Sequence, residues 1–149
     1  MAGLSSRTAV AIHALAMLAH RRGGSLTSAE IADSLESNPV LVRRVLGRLR
    51  EAHLVWATEG RGGGWSLARD PRDITLHDAF AAVEEGQIFS RHTHPPSGAC
   101  EVGRNIGDLL DVEFRGAERA LEERLGTTTI AGLLQRILAS DHEPRNLKR

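Results

Sequence analysis

The stretch NPVLVRRVLGRLREAH, residues 38–53, decides the fold. Asn38 is a good helix cap, and Pro39 suits a first helical position, where its missing N–H costs nothing. Val42, Val45, Leu46 and Leu49 then recur at i, i+3, i+4 and i+7, one apolar face of an α-helix. At about 100° per residue the opposite wedge carries Val40, Arg43, Arg44 and Gly47, with Arg48 at its edge. A helix with an apolar back and arginines on its first turns can enter a major groove. There arginine bridges two acceptors of guanine, and a small apolar side chain such as Val40 touches a thymine methyl. The bland alternative is a solvated charged face.

The flanking sequence favours the groove. Upstream, Thr27 and Glu30 stand in capping-box spacing, with Leu26 and Ile31 as the staple pair. They predict a short helix that Ser28 opens and Leu35 closes. Glu36-Ser37 is then a tight turn, and the two helices make a helix-turn-helix. Ser28 and Asn38 join Val40 and the arginines as candidate DNA contacts. A longer helix from about Ser6 to Arg22 precedes them, apolar at Ala9, Ile12, Leu15, Ala16 and Ala19, and ends at Gly23-Gly24.

Downstream, residues 54–58 and 65–68 read as two strands around Glu59-Gly60-Arg61-Gly62-Gly63-Gly64. Four glycines permit a tight hairpin tip. Arg61, Gly62 and Gly63 at such a tip suit phosphates or a narrow minor groove. A nucleotide cradle is disfavoured, because no helix and no Gly-Lys-Ser/Thr follows.

Thr75 with Asp78, and Ile74 with Ala79, start a fourth helix that runs to about Glu85 and stops at Gly86. Residues 87–99, with His92, His94, Pro95 and Pro96, read as a loop. A fifth helix follows, from Glu101 to about Leu125. Its stripe holds Ile106, Leu109, Leu110, Phe114, Ala117, Leu121 and Leu125. At roughly 37 Å it outruns the small N-terminal core. A second copy is the simplest partner for the stripe, and packing on the first helix is the alternative. A last helix carries Ile130, Leu133, Leu134, Ile137 and Leu138. The expected organisation is a winged helix-turn-helix over 1–86, a loop over 87–100, dimerisation helices over 101–140 and a disordered polar tail over 141–149. The fold class is mainly α, with a two-stranded β wing.

Composition is ordinary for a globular chain, with 41% hydrophobic and 26% charged residues. Lys+Arg and Asp+Glu balance at 19 each. The balance hides an asymmetry. Residues 1–69 carry nine arginines against five acids, and residues 70–149 ten bases against 14 acids. A basic half joined to an acidic half fits a polyanion-binding module fused to another element. The Ala-rich run 9–19, broken by His13, is too short and too weakly apolar to span a bilayer. No basic region precedes an apolar core as in a secretory signal, and one cysteine gives no disulfide framework. The expectation is a cytoplasmic protein without membrane contact.

The order of these motifs resembles the Rrf2 family of bacterial winged-helix transcriptional regulators. The resemblance rests on Ile31-Ala32, Asn38-Pro39, the run from Leu46 to Val55, Gly60-Arg-Gly-Gly-Gly-Trp-Ser-Leu-Ala68 and Ile74-Thr-Leu-His-Asp-Ala-Phe80. It covers roughly residues 4–140, and Trp65 stands where the family's wing usually has tyrosine. It implies a winged-helix homodimer joined by the long fifth helix; a two-fold dimer of this kind is expected to act as a repressor on a palindromic double-stranded operator. It also implies that Arg43, Arg44, Arg48 and Arg61 meet DNA. Cluster-binding members carry three cysteines in the loop before that helix, and this chain has Cys100 alone. The resemblance is therefore to a cluster-free, single-cysteine branch with no cofactor.

Cys100 is a candidate redox or electrophile sensor. Without a second cysteine its oxidation must end in sulfenic acid, a small-thiol cap or a bridge to the partner subunit. A remnant with no role is the alternative. A zinc site from His92, His94 and Cys100 is weighed and not expected, nor is any other metal. Two further functions compete with the regulator: an enzyme using Cys100 with His92 or His94, and a winged helix that binds protein.

Overall fold

The structure, a computed structural model, describes residues 6–21 and 23–142. Helix α1 spans Ser6–His20, α2 Ser28–Leu35 and α3 Pro39–Glu51. The capping box of α2 is closed both ways: the Glu30 amide donates to Thr27 Oγ1 at 3.2 Å, and the Thr27 amide to Glu30 Oε2 at 2.8 Å. Glu36 then takes a left-handed conformation at φ 47°, and the Ser37 amide reaches back to the Ala32 carbonyl at 3.2 Å. That sharp stop turns the chain into α3, where Asn38 Oδ1 accepts the Val40 amide at 2.9 Å. The positions read as the apolar face of α3, Val42, Val45, Leu46 and Leu49, are all buried.

Strands β1, Val55–Thr58, and β2, Gly64–Leu67, pair antiparallel from Val55 opposite Leu67 to Thr58 opposite Gly64. A further rung was not legible in the sequence. The Leu26 amide donates to the Trp65 carbonyl at 3.0 Å, and the Trp65 amide to the Leu26 carbonyl at 2.7 Å. This rung anchors the hairpin to the segment that leads into α2. A short 3-10 turn at Pro71–Asp73 follows, also unanticipated, and then α4, Leu76–Val83, with its own Thr75–Asp78 capping box.

Leu15, Ile31, Leu46, Leu49, Leu54, Ile74 and Ile130 form the centre of the core. The last of these comes from α6, Ile130–His142, which packs on α1. It is held by a second isolated bridge: the Ile130 amide donates to the Ile74 carbonyl at 2.8 Å, and the Leu76 amide to the Thr128 carbonyl at 2.9 Å. Helix α6, expected among the dimerisation helices, completes the N-terminal core with its first residue. Asp141 and His142, expected in the tail, belong to α6. Arg22 and residues 143–149 lie outside the described residues.

Helix α5, Glu101–Gly126, has no buried residue, and its main neighbour is α4. Its 26 residues make a rod of about 39 Å. The loop ahead of it doubles back along it. Phe89 stacks on Phe114 with ring centroids 4.7 Å apart. Arg91 forms an ion pair with Asp111, its Nε donating at 2.8 Å, and Arg104 donates to the Gly98 carbonyl at 3.1 Å. The expected stripe therefore divides. Phe114 faces its own loop, and Ile106, Leu110 and Leu121 are half-buried within the chain. Leu109, 65% exposed, and Ala117 face outward. Two residues outside the expected stripe, Val102 and Val112, join them. No helix among the described residues is long and apolar enough to cross a membrane.

Candidate nucleic-acid interface

Packing the apolar face of α3 inward leaves Val40, 53% exposed, with Arg43 and Arg44 on the outer surface. Gly47, one turn on, has open space where a Cβ would stand. The two flanks of this wedge are closed by different devices. On the wing side the Arg50 guanidinium lies over the Trp65 ring, 5.8 Å from its centroid. On the α4 side Arg48 pairs with Glu51 at 3.4 Å and with Glu85. Arg48, read as a DNA contact at the edge of the wedge, is thus committed to two carboxylates of its own chain.

The wing tip needs glycine for a steric reason. A Cβ on Gly63 would stand 2.2 Å from the Thr58 carbonyl oxygen and 2.9 Å from that of Gly60, closer than real Cβ atoms come. Arg61 and Gly62 are exposed at this tip. Ser25 Oγ donates to the Gly62 carbonyl at 3.4 Å and ties the tip back toward α2. Ser28 is half-buried at the start of α2. Asn38 is exposed, and its Oδ1 is used as the α3 cap, which orients the arginines rather than leaving that oxygen for a base. Trp56, 59% exposed on β1, was not singled out in the sequence. Of β1 only Val55 is buried, and Trp56, Ala57 and Thr58 are exposed, so no alternation along the strand singles Trp56 out.

Ion pairing sorts the arginines of the basic half. Arg7 pairs with Glu84 at 3.5 Å, Arg21 with Glu30 at 3.8 Å, and Arg48 as above. Arg43, Arg44, Arg61 and Arg69 pair with no carboxylate among the described residues. The carboxylate pairs show in the acids. Hydrogen bonds from the Arg72 side chain, then its amide, bring the Asp70 carboxyl from its ordinary 3.8 down to about 2. The Thr27 amide, then its hydroxyl, lowers that of Glu30, with Arg21 adding a smaller pull. The cations left unpaired on α3 and the wing tip lie on the surface expected to meet DNA.

Cys100 is exposed and caps α5 without a side-chain hydrogen bond. No three His, Cys, Asp or Glu side chains among the described residues gather so as to hold a metal. Between α1 and α6 lies an apolar groove of about 480 Å³, lined by Ile12, His13, Met17, Leu133, Leu134 and Ile137 among others. His13 Nε2 and Ser34 Oγ share a hydrogen bond of 3.0 Å, joining the groove wall to α2.

Comparison with known proteins agrees with this geometry. Residues 4–136 match the family Rrf2, described as an iron-dependent transcriptional regulator. The chain is similar to YwnA of Bacillus subtilis, 35% identical over 136 residues, covering 90% of this chain and 98% of that one. It is also similar to the HTH-type transcriptional regulator IscR of Cereibacter sphaeroides, 35% identical over 119 residues, covering 79% and 76%. The solved structure of T. potens IscR superposes with a TM-score of 0.73 at 22% identity, over 99% of this chain and 96% of that one. The family description implies iron. The donor set does not fit an iron–sulfur cluster, which takes about four soft ligands, whereas this chain offers one exposed thiol.

Proposed function

The chain belongs to the Rrf2 family of transcriptional regulators, and from that premise we propose that it is a repressor that binds double-stranded DNA sequence-specifically. The observation that carries the reading is the set of unpaired cations. Arg43 and Arg44 stand on the first turns of α3 beside exposed Val40, and Arg61 at the wing tip. In this reading α3 enters the major groove and the wing reaches phosphates or the adjacent minor groove. Arg48 is the least suited of the expected contacts, since it starts from a pair with Glu85.

The same reading makes the protein a homodimer in the cytoplasm, and it assigns no catalysis. Among the described residues the Val102–Leu109–Val112 strip of α5 is an exposed apolar face, and an apolar groove lies between α1 and α6. A second copy related by a two-fold axis can cover such faces on both chains at once. The operator is then an imperfect palindrome whose half-sites are one or two turns of about 10 bp apart. Selection of bound duplexes from a random pool tests the sequence preference and the two-fold site. A palindromic consensus supports it, and retention without any sequence preference refutes the sequence-specific reading. Cys100, exposed at the head of α5, is the candidate sensor, to be tested by comparing operator binding of wild type and Cys100→Ser with and without mild peroxide.

A further inference from the structure

Glu85 follows α4 and immediately precedes Gly86, where the chain leaves for α5. It pairs with Arg48, which projects from the flank of the α3 wedge one turn beyond Arg44. Glu51 takes the same guanidinium from the other side, at 3.4 Å. One cation thus faces two carboxylates at the border of the surface that carries unpaired Arg43 and Arg44. Resting on the DNA-binding reading, we propose that Glu85 sets the protein's affinity for DNA by holding Arg48 away from the phosphate backbone.

The geometry gives the reasons. At roughly 80° around the helix from Val40, Arg48 stands where the groove wall passes, not over base edges, so its natural partner on DNA is a phosphate. A free arginine there would add one phosphate contact and release one more counterion. Paired with Glu85 it contributes neither, and the acids beside it repel the strand. The pair is exposed, 37% and 65% at the two side chains. Exposed pairs are weak and salt-screened, so the acid moderates binding without abolishing it. No other candidate contact has such a competitor: Arg43, Arg44 and Arg61 pair with no carboxylate among the described residues.

The test uses the full chain and a fluorescein-labelled mixed-sequence duplex of about 30 bp, three helical turns, because a phosphate contact is read without regard to sequence. Dissociation constants are measured across a salt series for wild type, Glu85→Gln, Arg48→Ala and the double variant. Glu85→Gln is expected to bind about fivefold more tightly at low salt, with the log–log salt slope steeper by about one. In the Arg48→Ala background the same change should gain less than about twofold, since only the loss of one distant negative charge remains. Glu85→Asp should return to wild-type affinity. An equal gain in both backgrounds overturns the proposal, because Glu85 would then act as bulk charge and not through Arg48. No gain from Glu85→Gln in a wild-type background, with thermal melts unchanged, overturns it as well. If folded wild type ignores the duplex even at low salt, the DNA-binding reading fails first and takes this one with it. Should Glu85→Gln fold poorly, Glu85→Ala supplies the same comparison.

Discussion

Phe89 and Phe114 lie face to face, their ring planes 12° from parallel, so the loop ahead of α5 is fastened to α5 itself. Such a stack adds about 0.5–1.5 kcal/mol beyond the area it buries. Phe89→Ala is therefore expected to free the loop while leaving the core intact. Hydrogen exchange should rise through residues 87–100 and stay unchanged in α1 and α3. Uniform exchange across the chain would show that the stack supports more than the loop.

Arg43→Ala or Arg44→Ala should weaken operator binding by about 1–3 kcal/mol and relax preference at one position. Arg61→Ala should weaken it with less change in sequence preference, since the wing meets backbone or minor groove. Competition binding against single-base variants of the selected operator separates the two behaviours. Unchanged affinity for both α3 variants would remove α3 from the groove.

Leu109 and Val112 are exposed on α5, at 65% and 59%, so charging them leaves the fold of one chain within about 0.5 kcal/mol of wild type. The double change Leu109→Glu with Val112→Glu should convert a dimer to a monomer in light scattering and weaken operator binding. A variant that stays dimeric places the interface elsewhere.

Asp70 accepts hydrogen bonds from the Arg72 side chain at 2.7–3.2 Å and from its amide at 2.8 Å, and its carboxyl sits at about 2. A carboxyl depressed in the folded state stabilises fully above its ordinary value of 3.8 and loses that contribution as pH falls toward about 2. Asp70→Asn should lower the urea midpoint slightly at neutral pH, flatten its fall across that window, and converge with wild type near pH 2. The effect is small and shrinks with added salt, because the pair is exposed.

What was legible in the sequence was local. The Thr27–Glu30 and Thr75–Asp78 boxes each close within four residues, and the buried face of α3 follows from period alone. Long-range relations were not legible. The Leu26–Trp65 and Ile74–Ile130 rungs use backbone groups that every residue carries, so no side-chain pattern announces them. Helical period placed Phe114 on a stripe but could not tell a second copy from the chain's own loop, 25 positions away. The unpaired state of Arg43 and Arg44, and the capture of Arg48, depend on where α4 delivers Glu85.

The rung between Ile74 and Ile130 has a consequence for how the protein is made. Its two residues are 56 positions apart, and Ile130 is wholly enclosed. During synthesis the winged half therefore emerges with a gap in its interior and must wait for α5 to clear the ribosome before α6 can seal it. A messenger truncated after residue 86 would yield a chain with Ile74 and α1 uncovered, the kind of surface that chaperones and proteases recognise. A fragment of this kind should be soluble only when residues 127–142 are supplied as a separate peptide. The core of the winged half is thus completed only once the helix after the rod is present.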